Sequence, residues 1–276
     1  MSLKSVLDEK SFCKLKATLD DLACQKNTTQ GLLSAPDPLQ IATIHKDEFV
    51  CLLCALFAYG NAKNIVKFLQ SLDFSLLDES ELSIKKRVER AKFKYRFQSS
   101  ADIAQIFITL RRLKQENTLE KLFLQGYEKD KNIMSALRGF IRKVRSINAY
   151  SSLGYDFFFG APFASEPKGA MKRYNMLLRW CVRADELDLG LWKGIDKAHL
   201  LVPLDTHTHN VALKLGLMSR KSYDFKAVLE LTEVLREFDA QDPIKYDFAL
   251  YRLGQSKDYL NLKELLKLQG LLEFKE

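Results

Sequence analysis

Lys172-Arg-Tyr-Asn-Met-Leu-Leu-Arg-Trp-Cys-Val-Arg183 reads as an amphipathic helix. Met171, Tyr174, Leu177, Leu178 and Cys181 recur at helical spacing and form one apolar stripe. Lys172, Asn175, Arg179 and Arg183, spaced three, four and four, line the other side. Further on comes Val202-Pro-Leu-Asp-Thr-His-Thr-His-Asn-Val-Ala-Leu-Lys-Leu-Gly216, which reads as a helix start. Pro203 breaks the chain and Asp205 stands where it can cap the orphan N–H groups. Val211, Ala212 and Leu215 face inward before Gly216 stops the helix. An amine at one helix start and a carboxylate at another are the parts needed for amine-nucleophile chemistry on an electrophilic carbon. Each alone has a plainer reading: a solvated lysine and a helix cap.

Working outward, the pattern is helical throughout. Helices are expected over 5–26, 46–58, 62–72, 79–92, 99–114, 117–127, 131–146, 224–237 and 258–274. Another follows Asp242 as cap and Pro243 at its first position, and ends at Gly254. No run alternates as a strand would. Prolines 36, 38, 162, 167, 203 and 243 fall between the proposed helices. Residues 27–40 read as a loop. Residues 147–170 form the longest irregular stretch, whose Tyr150, Tyr155, Phe157, Phe158 and Phe159 suit a buried plug. The expectation is an all-α fold of two lobes, 59–170 and 1–58 plus 171–276.

The chain has 276 residues, enough to bury a sizeable core. No long uncharged apolar run implies a membrane span, and the N-terminus lacks the design of a signal peptide. Five cysteines without framework spacing suit a reduced, cytoplasmic protein. Cys51 and Cys54 sit in the apolar run 49–57 and read as core rather than as a redox pair. The net charge of +8 is concentrated: residues 85–145 hold 17 Lys and Arg against 6 Asp and Glu. Such a block suits a polyanion partner, or else a solvated helix surface. His207 and His209, two apart on a helix, point in different directions and make a poor chelate, so no metal is expected. The turn Ser165-Glu-Pro-Lys-Gly169 feeds the Lys172 helix. Lys168 and Gly169 would there offer a cation and a backbone N–H to a phosphate.

Leu204-Asp-Thr-His-Thr-His-Asn-Val211 resembles the segment that follows the hairpin in the helix-hairpin-helix DNA glycosylases of the endonuclease III superfamily. The separation of Lys172 from Asp205, with Arg179 seven positions after the lysine, is similar to the archaeal-type 8-oxoguanine DNA glycosylases. The resemblance implies a glycosylase fold with a helix-hairpin-helix-like element. It implies a bifunctional glycosylase/AP lyase removing 8-oxoguanine, with Lys172 forming a Schiff base and Asp205 as the catalytic carboxylate. It also implies that Asp247 and Tyr251 contact the extruded base, that Arg179 belongs to the substrate site, and that Asn61 is the wedge residue. The chain departs from the wider superfamily in three ways: it lacks the Gly-Val-Gly hairpin, it has Asn210 at a commonly basic position, and it lacks the four-cysteine cluster. No iron–sulfur centre or other cofactor is therefore expected. The expected partner is DNA containing oxidised guanine, met by a monomer. Two other readings stay open: a monofunctional glycosylase for alkylated bases using Asp205 alone, and a non-enzymatic helical nucleic-acid-binding protein.

Overall fold

Every regular element among the described residues is helical. The structure, a computed structural model, describes residues 3–5 and 7–261. Among them no strand forms, only two isolated antiparallel bridges, Tyr95 with Gln98 and Ala184 with Leu189. The helix expected over 258–274 lies largely outside the described residues.

The chain forms two compact units. One, here the terminal unit, comprises residues 1–35, 166–190 and 196–276; the other, the central unit, comprises 36–165 and 191–195. The central unit thus begins at Pro36, ahead of the boundary at 59 drawn from the sequence.

Two helices open the terminal unit. α1 (Glu9–Lys26) starts where Asp8 accepts from Ser11 N. α2 (Thr29–Leu33), capped by Thr28, is a short helix inside the stretch expected to be a loop. The central unit follows with α3 (Leu39–His45), α4 (Glu48–Leu56), α5 (Ala62–Ser71), α6 (Glu81–Ala91), α7 (Ser100–Glu116), α8 (Leu119–Tyr127), α9 (Ile133–Ile147) and α10 (Leu153–Phe159). α7 is its axle. A capping box of Ser99 and Asp102 starts it, and Ile103, Ile106, Phe107, Ile108, Leu110 and Leu113 are all buried. In α4, Cys51 and Cys54 are buried, and burial pushes the Cys54 thiol well up, so Cys54 is not poised as a thiolate. Residues 191–195 join this unit because Trp192 packs on Phe123 and donates from its indole to Glu48 Oε2 (2.6 Å).

α10 occupies part of the stretch expected to be irregular. Tyr155, Phe158 and Phe159 fall at i, i+3 and i+4, so one helical face buries all three, while Phe157 points outward. Ser152 caps this helix, accepting from Tyr155 N (3.0 Å).

The terminal unit resumes with α11 (Lys172–Val182), α12 (Thr206–Lys214), α13 (Phe225–Phe238) and α14 (Asp247–Ser256). Two expectations at α14 are corrected. Asp242 makes no cap bond, and Pro243–Tyr246 is a separate 3-10 turn before α14. Gly254 does not end α14; the helix runs to Ser256 and closes on Lys257, whose φ is 64°. Gly254 instead lets α12 and α14 meet. A Cβ on it would stand 2.7 Å from His207 Cβ and 3.0 Å from His207 Cα. Gly254→Ala should therefore destabilise the protein by about 1–3 kcal/mol, as overpacking does. Urea unfolding at an unchanged m-value checks this.

Candidate functional site

The site is built in the terminal unit, where the starts of α11 and α12 converge. Lys172 is the first residue of α11, after Met171 in a left-handed turn (φ 52°). Its side chain keeps 28% exposure, and Nζ lies 3.7 Å from Asp205 Oδ2. The two Asp205 oxygens divide the work: Oδ1 caps α12 by accepting from Thr208 N (2.8 Å), while Oδ2 faces the amine. Asn175, one turn into α11, fixes this approach. It is buried, and its Nδ2 donates to the carbonyls of Ala170 (3.4 Å) and Val202 (3.3 Å). The second bond ties the lysine helix to the segment that leads into Asp205. Val202 N in turn donates to Thr232 Oγ1 on α13 (3.1 Å).

Beyond Lys172, the polar stripe of α11 does not face water. Asn175, Arg179 and Arg183 are all buried, so the helix is covered on both sides. Arg179 donates from Nε to Asp188 Oδ2 (3.1 Å) and from Nη1 to Asp247 Oδ2 (2.8 Å). Arg183 pairs with Asp188, with Asp185 (2.9 Å) and through Nε with Asp242 Oδ1 (2.8 Å). Asp188 is held by both guanidiniums. Burial, the largest influence, pushes its carboxyl up, and Arg179 and Arg183 pull it back. This explains why Asp242 caps nothing: both its oxygens accept from Arg183. Asp185 shapes the turn between, accepting from the N–H groups of Leu187 and Asp188 (both 2.8 Å).

Four buried side-chain atoms of this unit have no hydrogen-bond partner among the described residues: Asn175 Oδ1, Arg179 Nη2, Asp188 Oδ1 and Thr208 Oγ1. Buried polar atoms are normally satisfied; Asn175 and Thr208 belong to the first turns of α11 and α12 beside the Lys172–Asp205 pair, while Arg179 and Asp188 belong to the ion network further along α11.

Asp247, expected beside Tyr251 on one face, is buried against Arg179, whereas Tyr251 is half-buried. Burial pushes the Asp247 carboxyl up to about 6, against the pull of Arg179 and with the push of Asp205 and Asp188. The Tyr251 ring lies edge-on to exposed His207 (5.9 Å), and its hydroxyl accepts from Gln255 Nε2 (2.7 Å). His209 points the other way, its Nε2 3.0 Å from the Arg220 carbonyl. Lys168 and Gly169 are exposed in the turn before α11, and a Cβ on Gly169 would meet nothing within 4 Å. Asn61 belongs to the central unit. Its Oδ1 caps α5, accepting from Lys63 N (3.0 Å) and Asn64 N (3.3 Å).

Asp247 has a consequence for stability. Its folded value lies above its unfolded value of about 4, so the native state holds the proton more tightly. Its contribution is greatest below about pH 4 and is lost as pH rises through about 6. The unfolding free energy of the wild type relative to Asp247→Asn should fall by roughly 2 kcal/mol between pH 4 and pH 7. A difference that stays level across that window would mean that the carboxyl titrates normally.

The basic block of the central unit is partly neutralised by acids that precede it. Arg87 pairs with Asp73 and Glu79, Arg112 with Glu81 (2.7 Å) and Lys114 with Asp78 (2.6 Å). Counted from residue 73 to 145, the balance is 17 basic to 10 acidic.

The chain belongs to the family described as protein of unknown function (DUF2400), whose model matches residues 37–256. Comparison with curated proteins and with solved structures gives no match. Among the described residues no helix is long and apolar enough to cross a membrane.

Proposed function

We propose that this protein is a bifunctional DNA glycosylase/AP lyase that removes 8-oxoguanine. The observation that carries the reading is the 3.7 Å approach of Lys172 Nζ to Asp205 Oδ2, built at two helix starts and braced by Asn175. The resemblance of 204–211, Lys172 and Arg179 to the archaeal-type enzymes supplies the substrate class.

In this reading a Lys172 Nζ proton passes to Asp205 Oδ2, and the freed lone pair attacks the sugar C1′. The bond from C1′ to the base breaks, and its electron pair leaves with the base, which takes up a proton. Asp205 Oδ2 gives its proton to the departing base and, a carboxylate again, stabilises the positive charge that develops on the sugar. Loss of a further nitrogen proton opens the sugar ring and leaves a protonated Schiff base on Lys172. Loss of a C2′ proton then expels the 3′ phosphate by β-elimination. Tyr251 stacks on the extruded base, Asp247 orients Arg179, and Lys168 with the Gly169 N–H holds a backbone phosphate. The test is borohydride reduction during reaction with a duplex carrying 8-oxoguanine. A covalent protein–DNA adduct together with strand cleavage is expected. Neither product from folded protein would remove the reading.

A further inference from the structure

In the central unit, Tyr95-Arg96-Phe97-Gln98 forms a tight turn with a buried base and an exposed tip. Tyr95 and Gln98 exchange backbone hydrogen bonds (3.2 and 2.9 Å), and both are buried. Their side chains lock the turn to its neighbours. Tyr95 hydroxyl donates to the Tyr59 carbonyl (2.7 Å), Tyr59 hydroxyl donates to Gln98 Oε1, and Gln98 Nε2 donates to the Gly154 carbonyl (3.4 Å). Arg96 and Phe97 are raised on this base.

Arg96 has φ 54°, a left-handed conformation that glycine or asparagine would adopt at lower cost. Gly60 leaves it room, since a Cβ there would fall 2.5 Å from Arg96 Nη1. The guanidinium rests over the Tyr59 ring at 5.5 Å. Phe97 packs edge-on against Phe157 (5.1 Å), yet the two stay 46% and 38% exposed. Phe157 also leans on Tyr59 (4.7 Å). From Lys92 to Gln98 the chain reads Lys-Phe-Lys-Tyr-Arg-Phe-Gln, three cations and no acid, with Lys86 and Arg90 exposed on α6 before it. A strained cation and exposed rings on a rigid support serve no packing need. Aromatic faces stack on bases and cations take phosphates.

We propose that the Arg96-Phe97 tip, with Phe157, is a stacking platform for an unpaired nucleobase of DNA. The choice of DNA rests on the function proposed above; the cationic border argues for a polyanion over a protein partner. The platform lies on the central unit, which contributes no residue to the Lys172–Asp205 pair.

The test uses the full chain and undamaged oligonucleotides containing 2-aminopurine in three settings: single-stranded, in a duplex opposite an abasic analogue, and fully paired. Binding should change the fluorescence of the unpaired base in the first two settings only. Phe97→Ala should weaken binding to those two by about tenfold and leave the paired duplex unchanged, and Phe97→Tyr should restore it. Arg96→Gly, which relieves the left-handed backbone, should weaken all three and lower the salt slope by about one. Phe97→Ala binding all three as tightly as wild type, or losing all three equally, overturns the platform. A borohydride adduct formed without any Phe97 dependence of binding removes the platform and leaves the Lys172 chemistry standing. Phe97-dependent binding without an adduct does the reverse.

Discussion

Lys172→Arg should abolish the borohydride-trapped adduct and lower strand cleavage by on the order of a thousandfold or more, as loss of a nucleophile does elsewhere. The substitution is chosen to spare everything else. Arginine keeps the charge opposite Asp205 Oδ2, and the lysine side chain is already 28% exposed, so the larger head has somewhere to go. Binding to lesion DNA should persist. What arginine lacks is an amine that can lose its proton, and a guanidinium forms no Schiff base. Asp205→Asn separates the other half of the pair. Asparagine still offers an oxygen to Thr208 N, so α12 keeps its cap and little stability is lost. Base removal should nevertheless slow, because the developing cation loses its counter-charge. Single-turnover kinetics on folded protein read the two roles apart. An adduct that survives in Lys172→Arg would move the nucleophile to Lys168, exposed in the preceding turn.

Much of this site is legible as spacing. The cap at Asp205 follows from an acid placed before an apolar-periodic run, and it forms; Asp224, read as the first residue of its helix, is the cap of α13, accepting from Ala227 N at 3.1 Å. The polar stripe of α11 is equally visible at 172, 175, 179 and 183. What spacing cannot show is whether a polar face meets water or meets acid. Asp185 and Asp188 lie just past the end of α11, and the turn stiffened by Asp185 folds Asp188 back onto the two arginines. Two arginines four apart with two acids close behind were a local signal of that closure. Asp242 and Asp247 come from much further along the chain, one just before the 3-10 turn and the other at the start of α14, and tertiary packing brings them to the arginines. The same limit explains Asp242: an acid before Pro243 looks like a cap until Arg183 competes for its oxygens. α10 was missed for a different reason. Four aromatics in seven residues obscure the period, although Tyr155, Phe158 and Phe159 do mark one helical face.

Asp188→Asn should destabilise the terminal unit by about 3–5 kcal/mol, the usual cost of cutting one member from a buried ion network. Its carboxylate is fully enclosed and pairs with both Arg179 and Arg183. Removing its charge leaves two guanidiniums close together with three partly committed acids between them. Asp242→Asn should cost less, because that carboxylate retains some solvent and Lys197 stands 3.4 Å away to compensate. The order of the two effects is the informative part. If Asp188 served only to shape its turn, its replacement would cost no more than that of Asp185, whose side chain makes the turn bonds. A double-mutant cycle of Asp188→Asn with Arg183→Met decides the matter. Once the second guanidinium is gone, loss of the carboxylate should hurt far less, giving a coupling of about 1–3 kcal/mol. The loss should also reach the site. Arg179 would be left with Asp247 as its remaining ion-pair partner, and the tighter pairing should draw the Asp247 carboxyl below its value of about 6. An Asp188→Asn variant whose Asp247 titration is unmoved would show that the network braces the fold without tuning the site.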